Sequence, residues 1–179
     1  MRASTELVAT AVSSPASFDF ETLFRQHYAR LTRVIARIIF EPGRAEELAV
    51  EAFWKLWRTP KVHGDAAPGW LHRTAVRLAL DELRRRARRA RYERVTSLVR
   101  QPKTPDELFS AGEEQGRVRA VLASMTPRQS ELLVLRSDGL SYDELARVLS
   151  INPVSIGALL KRAREAFRKE YVKRYGEQS

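Results

Sequence analysis

The sequence predicts an all-α protein: two small helical domains joined by a linker, the C-terminal one a helix-turn-helix unit of the winged-helix-like kind. Three observations lead there. Apolar residues recur at spacings of three and four, and no segment alternates convincingly at the two-residue period of a strand. The pattern fades from Tyr92 to Lys103, where Pro102 and Pro105 punctuate the chain. In the C-terminal half, helix-start signals follow one another closely enough to leave only short turns between helices. The expected layout is a flexible leader at 1–17, a first domain at 18–94, a linker at 95–114, a second domain at 115–172 and a tail at 173–179.

The elements follow in order. Asp19 is placed to cap a helix whose Phe20, Leu23, Phe24, Tyr28, Leu31, Ile35 and Ile38 share one stripe, and Glu41, Pro42 and Gly43 end it. A second helix, about Ala45 to Arg58, turns Leu48, Ala52, Phe53 and Leu56 inward. Trp57 lies close to that stripe and is expected in the core, while Trp54 lies off it. Thr59 to Pro68 holds two prolines and Gly64 and reads as a loop. A long third helix runs from about Gly69 to Arg91, with Leu71, Ala75, Leu78 and Ala79 in one apolar row and Val76, Leu80 and Leu83 beside it.

Past the linker, Thr104, Pro105 and Glu107 carry a capping-box signature, and Val118, Val121, Leu122 and Met125 mark an amphipathic helix. Thr126, Pro127 and Gln129 repeat the cap signal for a helix closed by Asp138 and Gly139. Ser141 and Glu144 form a third box, and Asn152 with Pro153 opens the last helix, drawn to about Tyr171. Ser141 to Leu149 and Pro153 onward are thus two helices separated by a turn of about three residues. Leu145, Leu149, Ile151, Ile156 and Leu160 would form their shared core, and the small Ala146 would let the helices approach.

Charge narrows the function. The chain carries 32 Lys and Arg against 22 Asp and Glu, a net charge of +10 in 179 residues, which is the footprint of a polyanion binder. With no cysteine, disulfides and thiolate metal sites are excluded. His27, His63 and His72 lie too far apart for a helical metal pair. No apolar run approaches the ~20 residues of a membrane helix, and the N-terminal MRASTELVATAVSS makes a poor signal peptide. A cytoplasmic location and no cofactor are expected, and no phosphate loop or activated nucleophile is recognisable, so no enzyme activity is expected either.

The positive charge is concentrated. On the third helix Arg73, Arg77, Asp81, Arg84 and Arg88 recur at steps of three or four, followed by a nearly unrelieved run through Arg85, Arg86, Arg89, Arg91 and Arg94. Asp81 is placed to bridge Arg77 and Arg84 or Arg85. Trp70 and His72 open that helix, and aromatic faces beside cations suit unpaired bases. The last helix projects its N-terminal residues in the manner that enters a major groove, with Lys161, Arg162, Arg164, Arg168 and Lys169 as phosphate contacts along it.

These sections together resemble the extracytoplasmic-function group of sigma factors in the sigma-70 family. AEELAVEAFWKLWR resembles the family's polymerase-binding helix and GWLHRTAVRLALDELRRRARR its promoter-melting helix. MTPRQSELLVLRSDGLSYDELARVLSINPVSIGALLKRAR resembles its C-terminal promoter-reading domain. The resemblance implies an initiation factor whose partners are core RNA polymerase and promoter DNA, both duplex and melted, with an anti-sigma factor as a further candidate. It implies polymerase binding by Glu46, Glu47, Glu51 and Lys55. It implies minus-ten contacts by Lys61, His63, Trp70, His72, Arg73, Arg77, Arg84, Arg85 and Arg88, and minus-thirty-five contacts by Ser155, Gly157, Ala158, Lys161, Arg162 and Arg164.

Three segments depart from the family pattern. Val50 precedes Glu51 where glutamine is common, and Val76 and Arg77 follow Ala75 where arginine and asparagine are common. In the recognition helix Ser155, Ile156, Gly157, Ala158 and Leu159 replace a run rich in hydrogen-bonding side chains. Gly157 and Ala158 are left to offer close backbone approach or contact with thymine methyls, or else weak duplex reading. A stand-alone helix-turn-helix regulator is the alternative reading.

Overall fold

The computed structural model describes residues 18–96 and 111–176. Among the described residues there are seven helices: α1 (Phe20–Ile39), α2 (Pro42–Trp57), α3 (Ala67–Thr96), α4 (Ala111–Ser124), α5 (Pro127–Ser137), α6 (Tyr142–Leu149) and α7 (Pro153–Tyr175), with a 3-10 turn at Pro60–Val62. Among the described residues there is no strand, so no β-wing accompanies the helix-turn-helix.

Helices α1, α2 and α3 form a bundle. Asp19 accepts a hydrogen bond from the Thr22 amide at 2.9 Å, fixing the start of α1. The end of α1 is set differently from the expected Glu41–Gly43 stop. Phe40 turns into the left-handed region at φ 56° and its amide bonds the Ala36 carbonyl, so Pro42 is free to serve as the first residue of α2. Ile35, Leu56, Leu71, Phe53 and Leu80 are almost wholly removed from water. Each side chain of this kind contributes roughly 1.5–3 kcal/mol of burial. Trp57 is corrected: it lies outside the core at 55% exposure, with only its ring edge against Phe20. A helix turns 100° per residue, so Trp57 falls one step beyond the Leu56 row and out of the bundle.

Helix α3 runs to Thr96, past the expected boundary at 94, and α4 begins at Ala111, inside the expected linker. The Thr104–Pro105–Glu107 signal lies outside the described residues. Thr126 precedes α5, but its hydroxyl bonds the Gln129 side chain rather than a backbone amide. The Ser141–Glu144 capping box is complete in both directions. Asn152 Oδ1 caps the Val154 amide at 3.0 Å, and the turn of Ser150, Ile151 and Asn152 carries Ser150 at φ 53°. Leu145, Leu149, Ile156 and Leu160 are buried with Ala146 between α6 and α7.

The two halves are not separate beads on a linker. Leu132, Leu135, Leu145 and Ile156 belong to the same continuous apolar core as the residues of α1, α2 and α3. Helix α3 is the seam, packing on α4, α5 and α6 as well as on α1 and α2. At its N-terminal end the approach is close: a Cβ on Gly69 would stand 3.0 Å from Val148 Cγ2 of α6.

Candidate functional site

Three surfaces carry the residues singled out by the sequence. The first is the outer face of α2. The buried set Ala45, Leu48, Ala49, Ala52, Phe53 and Leu56 leaves the opposite side to Glu46, Glu47, Val50, Trp54 and Trp57. Glu47 pairs with Arg44, and Glu51 with Lys55 at 3.4 Å, both within the helix. Val50, Trp54 and Trp57 are all more than half exposed. The surface is therefore an acidic field around an apolar stripe. The stripe escaped the sequence reading, although the spacing of Val50, Trp54 and Trp57 opposite the buried row marks it.

The second surface is α3 with the loop before it. Lys61 is exposed. His63 lies under the Phe18 ring at 4.0 Å with its Nε2 3.0 Å from the Leu56 carbonyl, which ties the loop to the end of α2. Trp70 is half-buried on the core edge. Arg85 and Arg88 are exposed.

Four other residues that the sequence assigned to this surface, His72, Arg73, Arg77 and Arg84, meet the C-terminal half. Arg73 reaches Glu131 of α5 at 3.4 Å and the Val148 carbonyl at 3.3 Å, and Arg77 reaches Glu131 at 3.1 Å. Arg84 donates to Ser130 Oγ at 2.7 Å and to Asp81 at 2.8 Å. His72 is buried, its Nε2 2.9 Å from Asp138 Oδ2, and Arg37 and Arg30 of α1 converge on the same carboxylate. Burial lowers the His72 pKa, against the opposing pull of Asp138, so the imidazole is held towards its neutral form.

Two expectations about the ridge are corrected. Asp81 takes Arg84 alone, because Arg77 is drawn to Glu131. The arginine run is also relieved, by the buried Glu82, which takes Arg86 at 2.9 Å, Arg85 at 2.6 Å and Arg44 at 3.4 Å. Burial acts to raise the Glu82 pKa, but the Arg86 and Arg85 hydrogen bonds and the charges of Arg85 and Arg44 prevail and bring it to about 2. Arg86 also bonds Glu41, so this network locks the α1–α2 corner onto α3.

The third surface is the start of α7. Ser155, Ala158, Lys161, Arg162 and Arg164 are exposed on it. Gly157 faces elsewhere: a Cβ there would meet the Tyr142 ring of α6 at 3.7 Å. Leu159 packs on the core and is not part of the projecting face. Val154, which the sequence reading passed over, is 90% exposed.

A capped helix-turn-helix beside an arginine-rich helix with flanking aromatics defines a nucleic-acid-binding protein of the helix-turn-helix class. The profile described as "Sigma-70 region 2" matches residues 23–89, and that described as "Sigma-70, region 4" matches residues 115–167. The chain belongs to the sigma-70 family, in its extracytoplasmic-function (ECF) group, whose members are RNA polymerase initiation factors rather than catalysts. It is 28% identical over 164 residues to the ECF RNA polymerase sigma factor SigE of Mycolicibacterium smegmatis, a match spanning 89% of this chain and 64% of that protein. It is likewise 28% identical over 166 residues to the RNA polymerase sigma-H factor of Pseudomonas aeruginosa, spanning 86% and 85%. In fold it is similar to the sigma factor RpoE solved in complex with the anti-sigma factor NepR from Bartonella quintana. There the TM-score is 0.50 and the identity 17%, with 85% of this chain and 96% of that chain covered. Among the described residues no helix is long and apolar enough to cross a membrane.

Proposed function

We propose that this chain joins core RNA polymerase through the outer face of α2 and directs it to promoters in the bacterial cytoplasm, supplying no catalysis of its own. In this reading the loop before α3 and the start of α3 hold the melted minus-ten strand, and Arg84, Arg85 and Arg88 hold backbone phosphates. The exposed face of α7 reads the minus-thirty-five duplex. The observation that carries it is the pairing of Arg73 and Arg77 with the Glu131 carboxylate, and of Arg84 with the Ser130 hydroxyl. Oxygen acceptors of the second domain occupy guanidinium donors of the kind that bind phosphate oxygens. The same guanidinium edges cannot serve both, so strand capture requires the helix-turn-helix domain to leave α3. The packed arrangement is accordingly a resting form.

Because the Bartonella quintana neighbour was solved with an anti-sigma factor, an inhibitor that holds the two domains is a candidate partner here. Run-off transcription with core polymerase, with start sites mapped genome-wide, tests the proposal. Specific start sites that depend on the added chain support it, and their absence removes it. A stand-alone duplex-binding regulator is favoured by one observation: the α7 face stays exposed while Arg73, Arg77 and Arg84 of α3 are engaged by the second domain. Tight, specific duplex binding without polymerase would establish that reading instead.

A further inference from the structure

Val154 stands at the second position of α7 with 90% of its surface in water, the most exposed large apolar side chain among the described residues. Among the described residues nothing packs closely on it. Its backbone is nevertheless held firmly. The Val154 amide is capped by Asn152, Pro153 sets the first helical residue, and Ile156 and Leu160 anchor the helix at 0% and 1% exposure. In a helix a β-branched valine keeps essentially one χ1 rotamer, so its two methyls are presented in one place.

Ala158 follows four residues later on the same face and is also exposed. Lys161 and Arg162, both exposed, continue that face by another turn. An apolar tip leading into a cationic helix matches a polyanion with an apolar feature at the bottom of a groove. It does not match an apolar protein surface, which would have to desolvate those cations.

In the major groove the four base pairs offer hydrogen-bonding groups and one apolar group, the C5 methyl of thymine. Valine has no donor or acceptor to offer any of the others. We infer that Val154, assisted by Ala158, is a specificity-determining residue that selects thymine in the minus-thirty-five element by methyl contact. The inference rests on the proposed role of α7 and names what that surface reads. It places duplex discrimination on a residue outside the hydrogen-bonding set of Ser155, Lys161 and Arg162.

The test uses holoenzyme assembled from core polymerase and the full chain. Promoters selected from a library randomised across the upstream element should be enriched in thymine at one or two positions. Replacing each of those thymines with deoxyuridine removes the methyl and nothing else. Wild-type holoenzyme should then lose about fourfold in promoter binding for each methyl read, the equivalent of ~0.8 kcal/mol for one buried carbon. Val154→Ala should lose about as much on the thymine promoter and change less than twofold on the uracil promoter. The exposed position makes a folding defect in this variant a poor explanation, and circular dichroism checks it.

An upstream element selected without thymine, no response of wild type to uracil, or equal uracil losses in wild type and Val154→Ala would each overturn the inference. Scrambling the whole upstream element separates the levels. If scrambling is costly while uracil is not, only the methyl reading fails. If scrambling costs nothing, the assignment of α7 to duplex reading falls with it.

Discussion

Replacing Glu131 with glutamine should open the resting form. The Glu131 side chain is only 7% exposed and meets Arg73 at 3.4 Å and Arg77 at 3.1 Å. Hydrogen bonds to a charged group contribute about 1.5–3 kcal/mol when sheltered, and the Arg73 contact is of that kind. Arg77 is itself 56% exposed, so its share falls to the ~0.2–1 kcal/mol of a solvent-screened pair. Glutamine keeps the shape and one acceptor, which leaves a net loss of about 1–3 kcal/mol. At 1.4 kcal/mol per factor of ten, the closed-to-open ratio should drop roughly five- to a hundredfold. The chain has no cysteine, so Arg25→Cys and Glu165→Cys, both at exposed positions, permit clean dye labelling for single-pair energy transfer. The free variant should show a larger open population and tighter binding to a single-stranded minus-ten oligonucleotide. Added salt should likewise enlarge the open population of the wild type, read by the energy transfer alone. A ratio within twofold of wild type would refute the reasoning and leave the apolar seam around Leu132 and Leu135 as what holds the domains.

Three further outcomes are expected. Trp54→Ala should weaken core polymerase binding by tenfold or more, since exposed tryptophans at interfaces commonly carry about 2 kcal/mol. Glu47→Lys with Glu51→Lys should weaken it further, while thermal melting stays unchanged for both; unaltered co-purification with core would remove α2 as the docking face. Glu82 has a folded pKa of about 2, below its ordinary 4.5, so its stabilisation is present above pH 4.5 and is lost as pH falls from there towards 2. Glu82→Gln should therefore cost about 2–3 kcal/mol at pH 7 and much less near pH 2, read from denaturant midpoints; an equal cost at both would show that packing, not charge, is lost. Arg88→Ala should weaken promoter complexes of every sequence alike and reduce the salt slope by about one unit, and an unchanged slope would make Arg88 a solvated surface residue.

What the sequence determined by itself is local. Asp19, Ser141 and Asn152 carry cap chemistry that acts over two or three residues, and each caps its helix as expected. The apolar rows of α1, α2 and α3 point inward because the 3.6-residue turn is a property of the helix and not of its surroundings. Three stretches in the expected order carried the resemblance to the sigma-70 family, which the two matched profiles show. The tertiary structure decided which of many arginines meet a carboxylate. Glu131 is 58 residues from Arg73, and Asp138 is 101 from Arg37. A periodicity argument reaches three or four residues along one helix, so it gave Arg77 to Asp81 when the partner was on another domain. The same limit applies to Trp57 and Leu159. Each lies near the edge of an apolar stripe, where one step of 100° separates core from solvent, and only the angle at which the neighbouring helix crosses settles the side. Val154 escaped for the complementary reason: an apolar residue counts as core by pattern, and its place at the projecting tip of α7 exists only once the helix-turn-helix is folded.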